Sequence, residues 1–80
     1  MDKTKTYQTE DFEYALIEKT LKEVVEALEE RGYQPINQLV GYLMSGDLGY
    51  ISSHKEARNK IGKFDRAKIL EFLLSRYVEE

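Results

Sequence analysis

The residues most able to do chemistry lie between positions 52 and 60. His54 is the single histidine of the chain, with Ser52 and Ser53 before it and Lys55, Glu56 and Arg58 after it. A serine nucleophile needs a base held within hydrogen-bond reach, and adjacency along the chain does not supply that geometry. A metal site needs several patterned ligands, and one histidine in a chain with no cysteine does not supply them. His54 therefore reads as a histidine at a helix N-terminus or an interface. A cryptic hydrolase would require a deep polar pocket around it. The carboxylate pairs Glu29/Glu30 and Glu79/Glu80 fall at helix ends, where charge runs mark solvated surface. Gly41, Gly46 and Gly49 are too loosely spaced for a phosphate loop, and no Gly-Lys-Ser/Thr follows them. No catalytic residue, metal or cofactor is expected, and the chain reads as a binder or regulator, not an enzyme.

A second group mixes hydrogen-bonding and apolar character. Tyr33, Pro35, Asn37, Gln38, Gly41, Tyr42, Tyr50, His54, Arg58 and Asn59 are set among apolar neighbours. Buried polar groups need partners, so Asn37, Gln38, Tyr42, Tyr50, Arg58 and Asn59 are candidates for a shared network that fixes the helices. Tyrosine and arginine are also enriched at interface hot spots, which makes the group equally a candidate interaction or dimer surface.

These residues sit on a helical framework. The chain has 80 residues, 41% hydrophobic and 34% charged, the balance of one globular domain. Residues 1–10 are polar and threonine-rich and read as a mobile tail; residues 11–80 read as one helical domain. A first helix starts near Asp11, carries Leu16, Ile17, Leu21, Val24, Val25 and Leu28 at helical spacing, and ends at Gly32. Pro35 opens a second, apolar over most of its circumference through Met44, which predicts burial on several sides. Gly41 within it predicts a close helix–helix approach. Asp47 can cap a single turn over residues 48–51. Ser53 and Glu56 have capping-box spacing for a third helix that ends at Gly62. Asp65, with Phe64 as a hydrophobic staple onto Ile69, opens the last. No segment alternates with period two. The fold class is all-α: a compact bundle of four main helices plus a short helical turn, behind a flexible N-terminal tail.

A domain this small buries only about 60% of the surface its unfolded chain exposes, so a homodimer is a natural way to extend the core. A formal charge of −3 disfavours nucleic acid as a partner. A helix-turn-helix over residues 54–61 and 66–78 would place Ile69, Leu70, Phe72, Leu73 and Leu74 in a groove, whereas those residues want a core. A small nucleic-acid-binding protein stays the alternative reading. No apolar run reaches the roughly 18 residues of a membrane span, and nothing at the N-terminus resembles a secretory signal, so a cytoplasmic protein is expected.

The stretch over residues 33–47, Tyr-Gln-Pro-Ile-Asn-Gln-Leu-Val-Gly-Tyr-Leu-Met-Ser-Gly-Asp, resembles the signature of the IreB family of short regulatory proteins from low-GC Gram-positive bacteria. The likeness continues through Tyr50-Ile51, Ser53-His54, Ala57-Arg58-Asn59 and Ile61, then Asp65-Arg66 and residues 69–77. The resemblance implies a helical, non-enzymatic homodimer. It also implies a cytoplasmic substrate of a transmembrane Ser/Thr protein kinase and its phosphatase, which negatively regulates intrinsic cephalosporin resistance through a downstream protein target. Phosphorylation in the family's namesake falls on tail threonines. Asp2-Lys3-Thr4-Lys5-Thr6-Tyr7 resembles that tail, so Thr4 carries over; the other acceptor would fall at Met1, which leaves Thr6 as its substitute. A phosphate would add about −1.5 to −2 charges between Lys3 and Lys5, and the basic group Lys55/Arg58/Lys60 is a docking candidate by charge. Leu48 stands where many members carry proline, which predicts a looser turn.

Overall fold

The computed structural model describes residues 9–79. Four α-helices follow in order: α1 (Thr9–Glu30), α2 (Pro35–Ser45), α3 (Ala57–Ile61) and α4 (Arg66–Val78). Two 3₁₀ turns, Leu48–Tyr50 and His54–Glu56, lie between α2 and α3, and there is no strand among the described residues. The all-helical expectation holds. Thr4 and Thr6 lie outside the described residues, and α1 begins two residues ahead of the predicted Asp11.

α1 is the spine: α2, α3 and α4 all pack on it. Its buried residues are Ile17, Val24, Ala27 and Leu28, one face of a 3.6-residue period. Leu16, which the pattern also placed inside, is 55% exposed; one residue of rotation moves a side chain about 100° around the helix and Ile17 takes the inward position. At its end Gly32 adopts φ 80°. The Gly32 N–H donates to the Glu29 carbonyl at 3.0 Å and the Tyr33 N–H to the Leu28 carbonyl at 2.9 Å, the paired bonds of a Schellman stop.

Pro35 opens α2 from an extended Gln34, the conformation that a following proline imposes. The helix stops at left-handed Gly46, whose N–H donates to the Tyr42 carbonyl at 2.7 Å. Asp47 then caps the 48–50 turn, its Oδ1 accepting the Gly49 N–H at 2.8 Å. The third helix differs from expectation. Ser53 makes no side-chain cap, Lys55 and Glu56 stand at φ 56° and 62°, and α3 proper starts only at Ala57. Asp65 does hold the N-cap position of α4, through its backbone carbonyl and not its side chain.

Ten side chains form the core: Ile17, Val24, Ala27 and Leu28 of α1 meet Tyr42, Ile51, Ala57, Ile61, Ile69 and Phe72. Phe64 packs on this cluster from just before α4, where a staple would put it. α2 contributes only Tyr42 to the fully buried set and α4 only Ile69 and Phe72. Burial of α2 on several sides, and of the whole apolar run of α4, is therefore not met within one chain.

Candidate interaction site

His54 lies over the C-terminal end of α1. Its Nε2 is 2.8 Å from Glu30 Oε1 and its Nδ1 is 3.1 Å from Arg31 Nη2. A guanidinium only donates, so Nδ1 accepts from Arg31 and Nε2–H donates to Glu30. The Lys55 ammonium donates to the other Glu30 oxygen at 3.1 Å. The two ring nitrogens thus engage the last residue of α1 and the turn residue that follows it. The Ser52 hydroxyl accepts the His54 backbone N–H at 3.0 Å, so the neighbouring serine serves the backbone and does not form a nucleophile–base pair with the ring. Two successive non-glycine residues in the left-handed region cost about 1–3 kcal/mol each. The pairing of His54 and Lys55 with Glu30 holds that segment where it is. Among the described residues no group of three His, Cys, Asp or Glu is placed to hold a metal ion.

The polar candidates converge on the 48–51 backbone. Gln38 Nε2 donates to the Tyr50 carbonyl at 2.9 Å. Arg58 Nε donates to the carbonyls of Leu48 at 3.1 Å and Ile51 at 2.9 Å. Leu48 packs on the core, and its turn is bonded from three sides by Asp47, Gln38 and Arg58. The Tyr50 ring covers Gly41 so closely that a Cβ there would overlap its edge. The close approach predicted at Gly41 is real, but its partner is this turn and not another helix. Asn59 Nδ2 donates to Glu56 Oε1 at 2.6 Å, while Asn37 is exposed. The structure thus brings Gln38, Gly41, Tyr50 and Arg58 together, leaves Asn37 and Asn59 apart, and shows no side-chain network running through all of them. The bonds go to backbone carbonyls of the sharp turn; that of Leu48 also accepts the Ile51 N–H.

Among the described residues, α2 and α4 each carry an exposed apolar face. On α2, Ile36, Val40 and Met44 are 75%, 53% and 80% exposed at four-residue spacing, beside half-exposed Tyr33. No charged residue occurs from position 32 to position 46. On α4, Leu70, Leu73, Leu74, Tyr77 and Val78 are exposed along one side, interleaved with Glu71 and Arg76. Ile36, Val40 and Met44 were not among the candidates picked out by polar chemistry. Their signal was the all-round apolar pattern, which says that a helix is covered without saying by what.

Three carboxylates of α1 each bind two cationic or hydrogen-bonding partners. Glu18 holds Lys22 at 3.4 Å and Arg76 at 3.1 Å. Glu23 holds Lys19 at 2.8 Å and Lys60 at 3.3 Å. Glu30 holds His54 and Lys55. Each acid is drawn below its ordinary value: Glu18 chiefly by the Lys22 hydrogen bond with the Arg76 charge next, Glu23 by the bonds from Lys19 and Lys60, and Glu30 by those from His54 and Lys55. Lys55, Arg58 and Lys60, grouped by charge in the sequence, are engaged separately with Glu30, the 48–51 carbonyls and Glu23. Arg76 also lies over the Phe72 ring at 5.6 Å, and Phe72 meets Tyr14 edge-on at 5.6 Å. These contacts fix α4 against the N-terminal half of α1.

Among the described residues the fold is all-helical, its polar side chains serve the backbone, and apolar side chains on α2 and α4 are exposed. Residues 2–79 match the IreB regulatory phosphoprotein family, and the chain belongs to this family. It is thus a member of a family of regulatory phosphoproteins. No helix among the described residues is long and apolar enough to cross a membrane.

Proposed function

We propose that this chain is a non-enzymatic, homodimeric cytoplasmic regulator. A Ser/Thr protein kinase modifies Thr4, with Thr6 as the substitute acceptor, a phosphatase reverses the mark, and the protein restrains cephalosporin resistance through a downstream protein target. The observation that carries the dimer is the face of Ile36, Val40 and Met44. Interface cores are depleted of charge and homodimer interfaces are the more apolar ones, and this is the helix face set in the uncharged stretch from 32 to 46. The four-residue spacing suits an isologous helix-to-helix seam in which each copy covers the other. The carrier of the phospho-switch is the family's character as phosphoproteins, joined to the threonines at positions 4 and 6.

Light scattering at micromolar concentration is expected to give twice the 9.4 kDa chain mass, and Val40→Asp with Met44→Asp to return it to the monomer value. A wild-type monomer under those conditions overturns the dimer. Incubation with a cognate Ser/Thr kinase, read by mass spectrometry, is expected to place phosphate on Thr4 or Thr6; an unmodified tail overturns the switch. Pulldown from native cytoplasm with Thr4→Ala and Thr4→Glu chains is expected to recover different sets of the target.

A further inference from the structure

Of the basic residues grouped by charge in the sequence, Lys55 is out of a tail phosphate's reach and Lys60 is at its limit, whereas a different pair is well within it. α1 starts at Thr9, and the five residues from Thr4 to Thr9 span at most about 17 Å. At 1.5 Å per residue, Glu18 lies about 14 Å along the axis from Thr9, Glu23 about 21 Å and Glu30 about 32 Å. Lys55 sits on Glu30 and Lys60 on Glu23, so the first is beyond the tether and the second at its limit. The Glu18 cluster is inside it with slack. There two cations, Lys22 and Arg76, share one carboxylate. Both are open to solvent, with side chains 76% and 55% exposed.

We propose that the phosphate on Thr4 is received by Arg76 and Lys22 of its own chain, in competition with Glu18. The inference rests on the proposed tail phosphorylation and names where that mark acts. A phosphate dianion offers more charge and more acceptor oxygens than the carboxylate, and a guanidinium can meet it with two parallel bonds. Tethering supplies an effective concentration that two exposed cations alone would not. Before modification the same tail carries Lys3 and Lys5 around Thr4, a charge that Arg76 and Lys22 repel; afterwards the sign of that interaction reverses. Arg76 follows Leu73 by three positions on α4 and so shares its surface. The mark would therefore set a dianion beside the exposed apolar run of that helix and change what can dock there.

The test uses the full chain with phosphothreonine encoded genetically at position 4, at low salt, followed by phosphorus NMR across pH. The second ionisation of the phosphate, near 6 when free, is expected to fall, and the Arg76 Nε–Hε proton resonance to shift as it does. Arg76→Gln with Lys22→Gln should return the ionisation to that of a phosphorylated peptide of residues 1–8. Glu18→Gln, which removes the competitor, should deepen the fall. An ionisation and an Arg76 resonance indifferent to these changes overturn the proposal, as does a fall abolished by Lys55→Gln or Arg58→Gln instead. The unsubstituted chain reports through Arg76 itself, so a variant that fails to fold does not decide the outcome. Because the phosphate is encoded, a kinase that leaves Thr4 unmodified counts against the proposed function alone.

Discussion

Residues 48–58 and helix α4 are held to the same spine by different means. The first segment is short and sharply turned, and it is fixed by directed bonds: Asp47, Gln38 and Arg58 each satisfy backbone groups of the turn, and only Ile51 and Ala57 go fully into the core. α4 is a regular helix whose backbone satisfies itself. It is held by two buried side chains, one ring pair and the Arg76–Glu18 bond, and it leaves five apolar side chains outside. Irregular backbone needs side-chain partners wherever water is excluded, whereas a regular helix is free to spend its side chains on another molecule. The turned segment spends its side chains on the fold; α4 leaves its apolar side chains exposed.

The largest contrast should come from truncating one apolar residue in each region. Ile51→Ala removes a fully buried side chain and should cost about 3 kcal/mol. Leu74→Ala removes one that is 61% exposed and should change stability by less than about 0.5 kcal/mol. Urea denaturation at one fixed protein concentration measures both, since dimerisation makes stability concentration-dependent. Equal losses would show that α4 is packed as deeply as the turn and break the comparison.

Arg58 comes next. Arg58→Met keeps much of the stem's packing but strips the bond from the Ile51 carbonyl, while the Leu48 carbonyl retains the Ile51 N–H at 2.9 Å. One orphaned acceptor and one lost charged donor should cost about 2 kcal/mol. Arg58→Lys should recover only part of that, because an ammonium lacks the fixed planar geometry of the guanidinium. Full recovery with lysine would mean that charge, not direction, holds the turn.

Gly41→Ala tests the same region from its other side. Alanine gains about 1 kcal/mol of helix propensity, but its Cβ overlaps the Tyr50 ring, and forcing such contacts typically costs about 1–3 kcal/mol. A small net loss is expected. In the Tyr50→Ala background the same substitution should stabilise instead, and the change of sign in a double-mutant cycle is the signature of the contact.

The features legible in the sequence were those whose cause is local. Gly32, Pro35 and Gly46 dictate backbone angles through their own chemistry, and Asp47 reaches an amide two residues on. What escaped depends on distant parts of the chain. The Ser53–Glu56 spacing suggested a capping box, but Glu30, more than twenty residues earlier, binds His54 and Lys55 where the backbone turns left-handed. Gly41 announced a close contact and not Tyr50 as its partner. Arg76 and Glu18 are 58 positions apart, and no periodicity couples them. The exposed face of α2 was half legible: polar chemistry pointed to the same segment, while the residues that face outward, Ile36, Val40 and Met44, show only when one side of α2 is open.

The smallest effect expected is electrostatic; its sign is the same in both regions, which are told apart by where amide exchange responds. Glu30 and Glu18 both ionise below their ordinary value of 4.5 in the folded chain, Glu30 chiefly through the His54 hydrogen bond and Glu18 chiefly through that of Lys22. An acid whose folded value is depressed binds fewer protons folded than unfolded. Its contribution is fully present above the unfolded value and is lost as pH falls from there through the folded value. The urea midpoint should therefore hold steady from neutral pH to about 5 and decline below that, less steeply in high salt, which screens exposed pairs. Glu30→Gln should flatten the decline while altering amide exchange at residues 54–56. Glu18→Gln should flatten it while altering exchange in α4. If either variant alters exchange in both places, the His54 segment and α4 open as one unit, and the separation between the bonded turn and the exposed helix fails at that point.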